Sequence, residues 1–357
     1  MFTWDRFFKV LVVSHMLFSI TTSRLINEKG NKYSIYWNVP TFQCHKYGYN
    51  FTNLTDYGII QNTADKFQGD RIAIMYDPGY YPAIIDGKFR NGGVPQEGNL
   101  SKHLVLFKKD LEKAVPDPNF KGIGIIDFER WRPIYRENWA SLDIYRQVSK
   151  EIEAKKHPEL SKSAIEKKAA RRFEKYAFSF FNDTLALAIE LRPKAKWGYY
   201  AFPYCFNFTP KNAQKECTNV VKEDNNRSTW MYKTGTSIFP SVYLPQNKLS
   251  EKKKAQLIEY RILESIRITE MSGTKLSVLP YVHYKYTDTH AFLSKADLIN
   301  SFLVPKRTGA DGVIIWGSSH DVDSAKQCSR LSDYVEKVIG PILKQSSFMQ
   351  HPNDVFY

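Results

Sequence analysis

Cysteine is scarce in this chain of 357 residues: there are four, Cys44, Cys205, Cys217 and Cys328. None stands in a CxxC pair and no HExxH occurs, so no zinc site is expected, and no cofactor motif stands out. Long apolar runs are lacking too. Beyond the N-terminus no stretch reaches the ~18 apolar residues of a membrane helix, so no membrane anchor is expected. There is no internal repeat, low-complexity tract or Pro/Gly/Ser linker, and residues 92–98 (GGVPQEG) read as an irregular loop rather than a domain boundary. Acidic residues are the minority, 37 Asp and Glu against 51 Lys and Arg, a net charge of +14. That excess favours a polyanionic partner without choosing among a charged polysaccharide, nucleic acid and an anionic surface.

At the N-terminus, Lys9 precedes the apolar run VLVVSHMLFSI (10–20) and the small polar residues TTS. The run is too short to cross a bilayer and reads as a secretory signal, residues 1–23, cleaved near Ser23. Its Arg6 and Lys9 against Asp5 carry one unit of the net charge, leaving +13 of the +14 on residues 24–357. Export agrees with six Asn-X-Ser/Thr acceptors, at Asn50, Asn53, Asn99, Asn182, Asn207 and Asn226. It also agrees with an even number of cysteines, which suits two disulfides in any of three connectivities. Pairing Cys205 with Cys217 would close a short loop and leave Cys44 for Cys328.

What the chain has in quantity is alternation. Seven short apolar or β-branched runs, at 33–38, 72–76, 122–127, 196–201, 238–244, 277–282 and 312–316, read as strands. Most are separated by segments of helical period. The clearest lies at 165–191, where Ile165, Ala169, Phe173, Tyr176, Phe180, Leu187 and Leu191 form one stripe. Strands alternating with amphipathic helices predict parallel pairing, and seven units in a row predict a closed or nearly closed β/α barrel in a single domain over 24–357. The basic runs KKAARR (167–172) and KKK (252–254) are expected to be solvated helix faces. His320-Asp321-Val322-Asp323 lacks the Gly and distal Glu of a calcium loop and reads as an exposed loop.

The third run, GIGIID, leads into FERWRP and so ends in two acids, Asp127 and Glu129. Catalytic groups of parallel barrels stand at the C-terminal ends of strands. Residues i and i+2 of a strand share a side, so both carboxylates would face one pocket with Cα atoms ~6.6 Å apart and Phe128 turned away. Two carboxylates that close oppose each other's ionisation, which leaves one protonated to higher pH beside an ionised partner. That is the equipment of glycosidic cleavage. Acids from one strand end cannot easily straddle a sugar, which favours a retaining mechanism with the substrate's N-acetyl oxygen as nucleophile. The rival reading pairs both acids with Arg130 or Arg132 in a loop.

The stretches IDFERWRPIYRENW (126–139), WGYYAFPYCFN (197–207), PSVYL (240–244) and GADGVIIWGSS (309–319) resemble the hyaluronidases of glycoside hydrolase family 56, hymenopteran venom enzymes especially, over essentially the whole mature chain. The resemblance implies a distorted seven-stranded TIM-like β/α barrel with a long groove at the C-terminal strand ends. It implies endo-hydrolysis of the β-1,4 bonds between N-acetylglucosamine and glucuronate in hyaluronan. On its pattern Glu129 is the proton donor, Asp127 positions the acetamido group, and Tyr200 and Tyr243 complete the catalytic set. Trp316, Arg132, Arg261, Ser241, Tyr281, Ser318 and Ser319 would meet substrate, the arginines facing glucuronate carboxylates. The family pairs Cys44 with Cys328 and Cys205 with Cys217, uses no cofactor or metal, and implies a secreted monomer, expected in venom. Where the venom enzymes tend to carry aromatics, this chain has Val282 and His283, which bears on the groove lining.

A polyanionic polysaccharide also accounts for the charge, and nucleic acid is not expected of an exported glycoprotein. Two other readings compete: a relative that binds glycans without cutting them, and the same chemistry on chondroitin or chitin. The presence of both acids argues against the first, and the positive charge argues against uncharged chitin.

Overall fold

The computed structural model describes residues 33–345, so the expected signal segment 1–23 lies outside it. The strands that position the site are β1 (Ser34–Asn38), β2 (Ile72–Tyr76), β3 (Ile123–Asp127), β4 (Lys196–Tyr199), β5 (Ser237–Ile238), β6 (Ser277–Val278), β7 (Tyr281–His283) and β8 (Gly312–Trp316). Every pairing among them is parallel. β2 pairs with β3 and β3 with β4, β5 with β6, and β7 with β8, which pairs in turn with β1. Single bridges, Tyr200 to Phe239 and Ser241 to Tyr281, carry the order across the gaps.

Two of the expected strands are shorter than their apolar runs, and proline explains both. The run 238–244 pairs as a ladder only at Ser237–Ile238, because Pro240 has no N–H for a ladder. The run 277–282 is split into two strands at Leu279-Pro280. A hairpin of Ala83–Ile85 with Lys88–Arg90, absent from the seven runs, forms a separate antiparallel pair.

β3 is buried along its whole length, as its unbroken apolar run suggests. Gly124 is needed there: a Cβ at that position would lie 2.2 Å from the Trp197 ring of the neighbouring strand. The packing of β3 against β4 therefore depends on a missing side chain.

Helices α1 (Leu100–Ala114), α2 (Asp143–Lys156), α3 (Lys162–Leu191), α4 (Glu251–Ser272) and α5 (Lys295–Thr308) cover the sheet. Four begin with side-chain caps, from Asn99, Ser161, Ser250 and Ser294. The buried stripe of α3 runs through Ala169, Phe173, Ala177, Phe180, Phe181, Leu185 and Ala188, so Tyr176 falls off it and stands exposed. The basic runs are not wholly solvated. Lys254 is buried with its Nζ 2.7 Å from Asp297 Oδ2, and Arg172 pairs with Glu153 and Glu97. No described helix is long and apolar enough to cross a membrane.

The cysteines form Cys44–Cys328 and Cys205–Cys217. The first ties the turn after β1 to the helix at Ala325–Tyr334 across a sequence separation of 284. Closing so long a loop restricts the unfolded chain strongly, so replacing Cys44 and Cys328 by alanine is expected to remove about 3–5 kcal/mol of stability. Denaturant titration under non-reducing conditions measures it, and Cys205→Ala with Cys217→Ala, closing a loop of separation 12, should cost less.

Candidate active site

Asp127 is the last residue of β3 and Glu129 follows two positions on. Asp127 is 5% exposed, and its Oδ1 has no hydrogen-bonding partner. Glu129 reaches the surface. Phe128 between them turns into the core, its ring stacked 3.8 Å from that of Tyr81. The alternation expected of the motif therefore holds beyond the end of the ladder.

The neighbouring arginines are engaged elsewhere. Arg130 Nε donates to Asp77 Oδ2 at 2.7 Å, and Arg90 stands 3.4 Å from the same oxygen. Arg132 Nη1 donates to the Glu137 carbonyl at 2.6 Å. Its guanidinium is wrapped by the rings of Trp139, Tyr204 and Phe206 at 5.2, 4.7 and 5.1 Å. Among the described residues no cation forms an ion pair with Asp127 or Glu129, which removes the reading of a salt-bridged loop.

Without an ion-paired countercharge, both carboxyls are raised above their ordinary values. Asp127 is pushed up to about 8, by burial first, then by Glu129 and Asp77. Glu129 is also raised, by burial and then Asp77, with Arg132 and Arg130 opposing. Its carboxyl is open to solvent on one side, so Asp127 carries the larger displacement. The two titrate as a pair that keeps one proton into the neutral range.

Aromatic groups make the wall. Trp316 ends β8, Tyr243 stacks on it at 5.8 Å with 18° between the planes, and Tyr200 lies 6.5 Å from Tyr243. The hydroxyls of Tyr243 and Ser241 face that of Tyr200, whose own pKa is raised by burial and by the charges of Glu129 and Asp127. Trp316 Nε1 donates to Tyr76 Oη at 2.9 Å. Tyr76 is paired in register with Asp127 and half exposed, and it was not among the expected site residues. Its signal was available, since it ends the strand run IAIMY as Asp127 ends GIGIID. Asp77, with φ 46°, was missed as well; its backbone N–H donates to the Asp127 carbonyl at 2.9 Å and its charge reaches both acids.

Several expected substrate contacts have other work. Tyr281 is fully buried, its hydroxyl donating to Asn38 Oδ1 at 3.1 Å and its ring edge-on to Tyr200 at 5.1 Å, so it supports Tyr200 instead of facing a groove. Val282 is core, 2% exposed, and only His283 of that pair reaches the site. It lies 5.2 Å from Trp316 and 5.6 Å from Tyr243. Arg261 donates to the Ser241 carbonyl at 2.8 Å and to Asn207 Oδ1 at 2.9 Å, bracing the strand end at Ser241. Burial lowers its pKa to about 10. Ser319 is exposed, while Ser318 is spent on a turn, its N–H and hydroxyl both donating to Asp321 Oδ2.

That corrects the reading of 320–323 as an exposed loop. Asp321 also meets His283 Nε2 at 3.3 Å and Lys285 Nζ at 2.6 Å, and these partners hold its carboxyl well below the usual range despite burial. Asn207 is a further correction: it is 0% exposed and its amide donates to Lys215 and Leu257 carbonyls, leaving no room for a glycan. Asn50, Asn53 and Asn99 are exposed, and Asn182 and Asn226 are half-buried. A cavity of about 520 Å³ is lined by residues such as Gln61, Asn62 and Arg71 and includes neither Asp127, Glu129 nor the aromatic wall.

A raised carboxylate pKa carries a stability cost that is absent below the unfolded value near 4 and grows as pH rises toward the folded one. Asp127→Asn removes it. The variant is expected to match the wild type at pH 4 and to exceed it in stability at pH 8, by denaturant midpoint. A variant that loses stability relative to the wild type as pH rises would contradict the burial argument.

The family model described as hyaluronidase, glycoside hydrolase family 56, matches residues 22–348. A hyaluronidase of Polistes annularis is 44% identical over 94% of this chain and 94% of its own length. One of Apis mellifera is 43% identical over 92% and 88%. The crystal structure of bee venom hyaluronidase superposes with a TM-score of 0.85 at 44% identity, over 88% of this chain and all of that one. A second structure of that protein, with the same TM-score, holds a hyaluronic acid tetramer. With its unpaired acids at the end of a parallel strand, and with similarity of this extent, the chain belongs to the hyaluronidase family, glycoside hydrolase family 56.

Proposed function

We propose that this protein is a secreted endo-β-N-acetylhexosaminidase that cuts hyaluronan between N-acetylglucosamine and glucuronate with retention. The observation that carries the reading is the pair Asp127 and Glu129, without an ion-paired cation among the described residues and set beside the Trp316–Tyr243–Tyr200 wall. The relatives it matches bear the name hyaluronidase, and a bee enzyme of the same fold was crystallised with a hyaluronic acid tetramer. The parallel strands are read as a distorted seven-stranded TIM-like barrel in one domain over 24–357, with β6 and β7 as one interrupted strand and a groove along the C-terminal ends.

In the free protein the shared proton is displaced toward the more buried Asp127. An entering N-acetyl group donates its amide N–H to Asp127, which favours the ionised form there and leaves the proton on the more open Glu129. Glu129 then protonates the glycosidic oxygen as the acetamido oxygen bonds to the anomeric carbon and the glycosidic bond breaks. Water attacks that carbon from the vacated side, its proton returns to Glu129, and the acetamido oxygen leaves. Two displacements at one carbon retain its configuration. Tyr200 and Tyr243 hold the acetamido region, Trp316 supplies the flat face for the sugar, and Arg132 offers charge to a glucuronate carboxylate.

Chondroitin remains an alternative polymer for the same chemistry. Export in a venom, glycans on the accessible sequons and a monomeric state belong to the same proposal.

The test is hyaluronan depolymerisation, followed by viscosity and by new reducing ends. Glu129→Gln keeps the shape and removes the acid, so activity is expected to fall about 10²–10⁴-fold, the usual worth of a general acid. Activity surviving in Glu129→Gln would overturn the role of Glu129. A wild type that binds hyaluronan without cutting it would make the protein a glycan-binding relative.

A further inference from the structure

Directly after β2, next to Tyr76, stands a third carboxylate, Asp77. Its backbone ties it to the strand that bears the acids, the N–H donating to the Asp127 carbonyl at 2.9 Å with φ at 46°. Its side chain gathers cations. Oδ2 accepts from Arg130 Nε at 2.7 Å and stands 3.4 Å from Arg90 Nη2, while Oδ1 is buried with no hydrogen-bonding partner in the protein.

Stability does not account for this arrangement. The Arg130 side chain is 44% exposed, and an ion pair so open to water contributes little to folding. What the ion pair changes is the surroundings of the acids. Arg130 adjoins Glu129 in sequence, yet Asp77 holds its guanidinium. Asp77 also acts in its own right. Its charge opposes ionisation of both acids, and at Glu129 it outweighs Arg132 or Arg130 taken singly. That order is expected where the carboxylate faces the acids and the guanidinium lies behind it.

The other titratable groups around the pair are tyrosines: Tyr76 after Met75 on β2, Tyr200 and Tyr204 beyond β4, and Tyr281 on β7. Burial raises them all, Tyr76 and Tyr204 to about 12, so they stay neutral wherever the acids titrate. Tyr81 and Tyr145, which face Asp77, are raised too, and Asp86 acts on Arg130 from the hairpin turn.

We infer that Asp77 is a positioning residue for the cleavage: it keeps two arginines off the acid pair, sets its own charge beside the pair, and thereby fixes the upper pH limit of activity. The inference rests on the proposed function, in which Glu129 must carry a proton. Cleavage ends where the pair loses its last proton. A negative neighbour delays that loss, and a released arginine would hasten it.

The test uses substitutions at the two ends of one ion pair, in the full-length protein. Asp77→Asn removes the negative charge, frees Arg130 and loosens Arg90, and each of these changes favours the ionised acids. The alkaline limb of the kcat/KM profile on hyaluronan reports groups of the free enzyme, and it should move down by about one pH unit. Arg130→Gln breaks the same ion pair but removes a positive charge, so the limb should move up. A bridge that only braced the turn would give both variants a similar loss of activity or stability and leave the limb in place. Limbs that stay, or that move in one direction in both variants, would overturn the inference.

Titration of isotope-labelled Asp and Glu carboxyls by NMR is read in parallel, with the pair's midpoint expected lower in Asp77→Asn and higher in Arg130→Gln. Midpoints that shift while the limb stays would also overturn the inference. A wild type that does not cut hyaluronan defeats the functional reading. The titration then still decides on Asp77: opposite shifts uphold its hold on the pair, and unmoved midpoints refute it.

Discussion

The site depends on a denial of charge compensation. The segment after β3 carries two arginines within five residues of Asp127, and either could have neutralised it. Asp77 takes Arg130, and three aromatic rings with the Glu137 carbonyl take Arg132. The arginines stay close enough to temper the charge on Glu129 and too committed to quench it. Burial can then do what it does to any lone carboxylate, which is to hold the proton. Much of the surrounding architecture maintains this arrangement. Asp77 adopts a left-handed backbone to reach both Arg130 and the end of β3, and Gly124 lets the strand that bears Asp127 lie against Trp197.

The sequence carried the strand ends well. GIGIID and GVIIW run into the residues that form the acid pair and the wall, because a strand buried on both faces leaves a continuous apolar signal and its end is where polarity returns. It carried the middle of β5 to β7 less well, since prolines interrupt hydrogen bonding without interrupting apolar composition. The buried stripe of α3 was displaced for a similar reason. Period alone admits Tyr176, whereas the packed helix uses the small residues Ala177 and Ala188.

Residue roles were legible to the extent that they depend on a residue's own place in a strand. Roles that depend on what another element brings were not. Tyr281 stands where a groove tyrosine is expected, but Tyr200 and Phe239 cover it. Asn207 has the sequence of a glycan acceptor and the surroundings of a core amide, because Arg261 arrives from a helix more than fifty positions away. Asp321 reads as a loop acid and becomes a junction for His283, Lys285 and Ser318. In each case the deciding partner is distant in sequence, and no local pattern announces it.

The Cys44–Cys328 bond joins positions just after the first of these strands and just beyond the last, so nearly the whole fold lies on a covalent ring. A protease that nicks any single surface loop between those two cysteines does not divide the molecule. The two pieces stay tethered near the seam where β1 meets β8, and each keeps its partner at the high effective concentration of an intramolecular contact. Cleavage at one point would be visible as fragments only after reduction, and the damaged protein would persist in one piece wherever disulfides are stable.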